Sequence, residues 1–282
     1  MTILVSVIIP VYNDSRLLST LDTLKKQSYF NCQIIVVDDC SDKVNIKNIC
    51  DNFFGVKYIK SNVNVGSYAC RNIGTKAALG DILAFTDSDC ILDKDWIKLG
   101  VDFIKKNNLS IVGGKIQMIG FEFKIDEYLD SCLHLRQDIW VSKRNFAATG
   151  NAFIKKEVFE EVGLFDEKLR SMGDFEFGNR AFIKGYKIGY AEDAIAYHPA
   201  RSWDDLIEKV RRCNLGLLQI SKPSLKYYAE IIINIIESTS LILKDKSVPN
   251  QLSRVKLLKM FLYLQLLKIQ QALNFSIFNA EN

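Results

Sequence analysis

The sequence has no Cys-x-x-Cys pair, no Gly-x-Gly-x-x-Gly run, no internal repeat and no low-complexity linker. It also lacks an uncharged apolar run of the ~18 residues that a membrane-spanning helix requires. Each absence closes a route. The seven cysteines, at 32, 40, 50, 70, 90, 132 and 213, are odd in number and scattered. With no signal-peptide pattern ahead of the first apolar run, they read as reduced thiols of a cytoplasmic protein. Without the glycine fingerprint, a dinucleotide-dependent oxidoreductase is excluded. The stretch VYNDSRLL after the first apolar run contains no glycine. That removes the loop with which a nucleotidyltransferase would wrap a triphosphate. The formal charge is +4, but residues 221–282 carry eight Lys or Arg against four Asp or Glu, so the first 220 sum to zero. The body therefore has no basic footprint for nucleic acid, and attraction to an anionic partner belongs to the tail.

What is present is a series of short β-branched runs that end in acid. With 282 residues, 48% of them hydrophobic, the chain can bury a sizeable core. We expect an α/β domain over residues 1–220 and a helical extension over 221–282. VSVIIP (5–10), QIIVV (33–37) and ILAFT (82–86) read as strands buried on both faces. Helical patterns separate them, which implies a mainly parallel sheet flanked by helices. In such sheets ligands bind beyond the carboxyl ends of the strands. Three polar clusters fall there: Tyr12 to Asp14, Asp38-Asp39 and Asp87-Ser88-Asp89.

Asp87 and Asp89 repel each other unless a cation lies between them. A hard ion such as Mg²⁺ or Mn²⁺ suits oxygen ligands and keeps positions open for a phosphate. The bland alternative is an Asp-Ser-Asp turn bonded to its own backbone. Asp14 or Ser15 is placed to cap the first helix. In NVGSYACRNIGTKAALGD, a helix with small residues can lie close on the sheet, with Gly80 ending it, and Arg71 can point at a phosphate. Asp174 and Glu176 open another helix, where an acid suits the helix dipole or can take a proton from an attacking hydroxyl. His198 stands at a strand end before Pro199. Residues 121–145 show no clear period. The tail reads as helices over 225–243 and 252–273, joined by a turn at Ser247-Val248-Pro249-Asn250. In the second, Val255, Leu258, Leu262, Leu266, Ile269 and Leu273 form a heptad-like seam. Such a hairpin has three destinations: a membrane surface, a second subunit or the body itself.

Together, VSVIIPVYND, VVDDCSD, NVGSYACRNIG, ILAFTDSDC, TGNAFIKKEVFEEVGLFDE, GDFEFGNRAFIKGYKIGY and YHPAR resemble the inverting family 2 glycosyltransferases of the GT-A fold, over about residues 4–216. The tail has no part in the resemblance. It implies that Pro10, Tyr12 and Asp14 line the donor pocket, that Asp39 accepts from the base and that Arg71 lies near the diphosphate. It implies an Asp-x-Asp metal site of Asp87 and Asp89, with Asp89 the more direct ligand and Asp87 also facing the donor, completed by His198 as in a subset of the family and holding Mn²⁺ or Mg²⁺. Asp174 matches the catalytic base. Many members have Glu-Asp where this chain has Gly173-Asp174, which keeps Glu176 as a rival. The Gln-x-x-Arg-Trp signature of processive synthases is absent, which implies transfer of one sugar per encounter. The Gly form resembles a branch acting on bacterial surface polysaccharides such as capsule or O-antigen. That implies a nucleotide-sugar donor, with UDP favoured, and a glycan or lipid-linked acceptor at the inner face of the cytoplasmic membrane. From another class, the chain could be a catalytically weak scaffold or glycan-binding partner of an assembly complex. Its retained carboxylates speak against that.

Overall fold

The computed structural model describes residues 2–119, 124–134, 136–221, 223–244 and 251–280. The turn expected at 247–250 lies outside the described residues. In chain order the elements begin β1 (Val5–Val11), α1 (Leu17–Lys25), β2 (Cys32–Asp38), α2 (Ile46–Asp51), β3 (Val56–Lys60), α3 (Ser67–Ala77) and β4 (Ile82–Thr86). Next come β5 (Ile91–Leu92), α4 (Trp96–Asn107), β6 (Ile111–Ile119), α5 (Ile125–His134), α6 (Gln137–Arg144) and β7 (Asn151–Lys155). The remainder is α7 (Lys156–Val162), α8 (Gly173–Ile183), β8 (Ile188–Pro199), α9 (Trp203–Ile220), α10 (Leu225–Lys244) and α11 (Gln251–Ala280). The stretch without a clear period thus holds two short helices, α5 and α6.

The chain divides into two compact units. The first contains all eight strands, in the order β3-β2-β1-β4-β7-β6-β8-β5. β1 pairs in parallel with β2 and β4, and β3 in parallel with β2. β7 runs antiparallel between β4 and β6, and β8 is parallel to β6. This register gathers the ends of β1, β2, β4 and β8 on one edge of the sheet. Thr86 at the end of β4 pairs with Asn151 at the start of β7, and Met118 near the end of β6 pairs with His198. The core is built from the strand interiors and the inner faces of α1 and α4, with Val5, Val7, Ile9, Leu17, Leu21, Trp96 and Phe153 fully or almost fully buried.

Two local expectations are corrected. Neither Asp14 nor Ser15 caps α1, whose N-cap position is Arg16 without a side-chain bond. Asp14 accepts from both the Arg16 amide, at 3.0 Å, and the Arg16 guanidinium, so these bonds end on the residue ahead of the helix. Nor does Gly80 end α3, which stops at Ala77. Gly80 is required because a Cβ there would lie 2.6 Å from the Ser6 nitrogen and 2.8 Å from the Leu4 carbonyl oxygen. Those are backbone atoms and cannot yield. Gly80→Ala is expected to cost about 1–3 kcal/mol through overpacking, read as a lower urea midpoint with unchanged slope.

The second unit comprises α5, α9, α10 and α11, and so takes in helices on both sides of the composition change at residue 221. Leu129, Leu206, Val210, Leu257, Phe261 and Leu264 form its core. Buried Asp130 receives the Arg201 guanidinium at 3.1 Å and the Arg201 amide. Most of the heptad seam expected on α11 does not pack inward, although Leu258 rests against this core. Val255, Leu262, Leu266 and Leu273 are 44%, 40%, 64% and 50% exposed, whereas Leu257, Phe261, Leu264 and Ala272 are buried. The helix is apolar on more than one side, so spacing alone did not identify which stripe meets the core.

Candidate active site

Three loops meet at the shared sheet edge. After β1, Asn13 adopts a left-handed conformation (φ 52°). Its side-chain carbonyl accepts from the amides of Asp42 and Lys43, and its own amide donates to Ser41 Oγ at 2.8 Å. The loop after β1 is thereby clamped to the loop after β2. Pro10 is buried in β1, while Tyr12 stands at the rim, 51% exposed. The acidic pair after β2 divides its work. Asp38 is buried and accepts from Tyr58 Oη (2.7 Å) and the Ser41 amide (2.8 Å). Burial, with this bond to a carboxylate, pushes the Tyr58 phenol well up. Asp39 accepts from the amides of Val65 (2.6 Å) and Gly66 (2.9 Å), fixing the entry to α3. A carboxylate has about four acceptor sites, so capacity for a further donor remains.

The loop after β4 carries the densest charge. Ligand atoms of Asp87, Asp89 and His198 all lie within 4.8 Å of one another. His198 is buried, with Nε2 3.7 Å from Asp89 Oδ1 and Nδ1 2.6 Å from the Pro199 carbonyl. Nδ1 donating to that carbonyl leaves Nε2 as the ring nitrogen that faces the carboxylates. Burial pushes the Asp89 carboxyl up from the usual range. The neighbouring Asp87 charge adds to this, while His198 and Arg16 pull in the opposite sense. Two carboxylates and one imidazole so placed, with burial disfavouring the charge on one, fit a hard divalent cation.

Fixed charges surround this cluster. Arg71 is buried on α3 and donates from Nη2 to Asp87 Oδ1 at 2.6 Å, while its Nε lies buried without a hydrogen-bond partner. Arg16, which sequence reading passed over, chelates Asp14 at 2.9 Å and approaches Asp89 Oδ2 at 3.3 Å. Burial alone would raise the Asp14 carboxyl, but bonds and charge from Arg16, with a bond from Ser88, hold it below the usual range.

Asp174 occupies the first turn of α8, after Met172 in the left-handed region (φ 65°). Oδ1 accepts from the Phe175 amide (2.9 Å) and Tyr68 Oη (3.2 Å), and Oδ2 from the Thr149 amide at 3.4 Å. Gly173 makes room for Tyr68, since a Cβ there would meet the ring at 2.8 Å. A glutamate at 173 therefore cannot coexist with this placement of Tyr68, a physical reason for the Gly-Asp form. Tyr68 is the second residue that sequence reading missed. Its ring also lies 5.4 Å from the Arg71 guanidinium carbon, so one face of α3 joins the Asp174 carboxylate to the Asp87 side of the site. Glu176 is differently employed. Arg180 binds it through two bonds (2.6 and 2.9 Å) and donates to the carbonyls of Val162 and Leu164.

Comparison with known proteins gives the family and the fold. The family model described as Glycosyl transferase family 2 matches residues 6–163. Glycosyltransferase AglE of Haloferax volcanii is 34% identical over 226 residues, which cover 77% of this chain and 73% of AglE. The amylovoran biosynthesis glycosyltransferase AmsB of Erwinia amylovora is 28% identical over 219 residues, covering 68% of this chain and 69% of AmsB. Among solved structures, the mannosyltransferase PcManGT from Pyrobaculum calidifontis, in complex with GDP-Man and Mn²⁺, matches with a TM-score of 0.69 at 16% identity. That match covers 97% of this chain and 88% of PcManGT, and it shows a shared fold.

Proposed function

The chain belongs to glycosyl transferase family 2, and from that premise we propose that it transfers one sugar from a nucleotide-sugar, UDP favoured, to an acceptor hydroxyl with inversion at the anomeric carbon. The acceptor class is a glycan or lipid-linked sugar of bacterial surface-polysaccharide assembly, in keeping with the relatedness to AmsB. The observation that carries the reading is the convergence of Asp87, Asp89 and His198 at the edge where the strands end. These three would hold Mn²⁺ or Mg²⁺. The bound ion supplies Lewis-acid neutralisation of the departing nucleoside diphosphate.

The chain's own residues do the rest. Tyr12, Asp14 and Asp39 stand in the loops that would receive the nucleotide, and Arg71 sets positive charge beside Asp87. Asp174 takes the proton from the attacking hydroxyl. Thr149 and Tyr68 orient its carboxylate, and the helix start keeps it rigid. The grip of Arg180 on Glu176 favours Asp174 over Glu176 as the base.

The test is release of nucleoside diphosphate from a panel of UDP- and GDP-sugars with Mn²⁺ present, with and without acceptor. Turnover of one donor that disappears with chelator supports the reading. Absence of turnover with every donor and metal would contradict it. Within the same frame, Tyr68→Phe is expected to lower kcat roughly tenfold, the effect of losing one hydrogen bond to a charged group. The donor KM should hardly move. In an Asp174→Asn background the Tyr68 substitution should add little, because the carboxylate it orients is gone.

A further inference from the structure

We propose that the outward faces of α10 and α11 form a docking surface for an anionic lipid bilayer. On α10, Leu225, Ile232, Ile233 and Ile236 are exposed, and three of them recur at the spacing of a single helical stripe. On α11 the exposed stripe of Val255, Leu262, Leu266 and Leu273 spans ~27 Å of helix at 1.5 Å per residue. Large apolar side chains in this number and alignment are unusual on a free surface.

The charge identifies the occupant. Lys256 and Lys259 are exposed beside the α11 stripe, and residues 221–282 hold the whole net charge of +4. A symmetric interface between two copies would press like charges together. A bilayer with anionic headgroups offers the complement: apolar side chains enter the acyl boundary while lysines reach back to the phosphates. No helix among the described residues is long and apolar enough to cross a membrane, so the geometry is that of lying on the surface. The inference does not depend on the catalytic reading, because vesicle binding is measured without donor, acceptor or metal.

The experiment is flotation of the full chain with phosphatidylcholine vesicles, with or without phosphatidylglycerol. Each lysine near an anionic surface favours binding by roughly fivefold at low salt. Binding to the phosphatidylglycerol vesicles should therefore exceed that to phosphatidylcholine alone by about tenfold or more, and fall as salt rises. Leu262→Asn with Leu266→Asn should abolish it. The exposed pair Lys256→Glu with Lys259→Glu should remove the preference for anionic vesicles while leaving the thermal transition in place. Equal binding to both vesicle types, or no binding to either, would overturn the proposal. So would a concentration-dependent dimer that the leucine substitutions dissolve, because the face would then belong to a second copy.

Discussion

Asp174→Asn is expected to lower turnover by at least about 100-fold, the lower end of what a positioned general base contributes, while nucleotide binding survives. The substitution is nearly isosteric. The side-chain oxygen can still accept from the Phe175 amide, and Gly173 still leaves room for Tyr68. What is lost, on the proposed mechanism, is the acceptor of the hydroxyl proton. The structure separates this result from a folding defect, since Asp174 is only partly buried and lies at a helix start, not in the core. Calorimetric titration with UDP and Mn²⁺ checks the binding half, and single-turnover kinetics the chemical half. Near-wild-type turnover would move the role to Glu176. In that event Glu176→Gln should abolish activity. If Asp174 is the base, the same substitution mainly frees Arg180 and lowers stability, because two of the guanidinium's bonds end on Glu176.

Asp89→Asn acts on the other half of the site. Metal-dependent affinity for the nucleotide should fall by more than about tenfold, since even an outer partner of a metal ligand is worth 10- to 100-fold. Turnover should fall with it. The carboxylate is held at a cost in the free protein, because burial and the Asp87 charge both oppose its ionisation. A neutral amide removes that cost, so the variant should remain folded. In thermal melts, wild type should gain apparent stability when UDP and Mn²⁺ are added together, by mass action. The variant should gain little. An unchanged response would exclude Asp89 as a ligand.

The sheet and its acidic rim were legible because buried β-branched runs end abruptly in Asp38-Asp39 and Asp87-Asp89, a pattern with few physical readings. That His198 meets Asp89 is not written in their spacing, since more than a hundred residues separate them. It follows from β8 lying parallel to β6, with β7 returning antiparallel beside β4. Arg16 and Tyr68 escaped notice for opposite reasons. One reads as a solvated arginine and the other as a core aromatic, yet Tyr68 precedes Arg71 by three residues and so shares its helix face. Residues 121–145 gave no period because α5 and α6 are short and belong to different units. On α11, heptad spacing located an apolar stripe but not its direction. The buried stripe contains Phe261, which the heptad pattern had left out.

The most direct test is pulsed electron paramagnetic resonance on the Mn²⁺-loaded chain with UDP. Nitrogen modulation from a coordinated imidazole is expected in wild type and should vanish in His198→Asn, while Asp89→Asn should weaken Mn²⁺ binding itself. A Mn²⁺ signal without nitrogen coupling, and indifferent to Asp89, would place the ion elsewhere and contradict the site at the sheet edge.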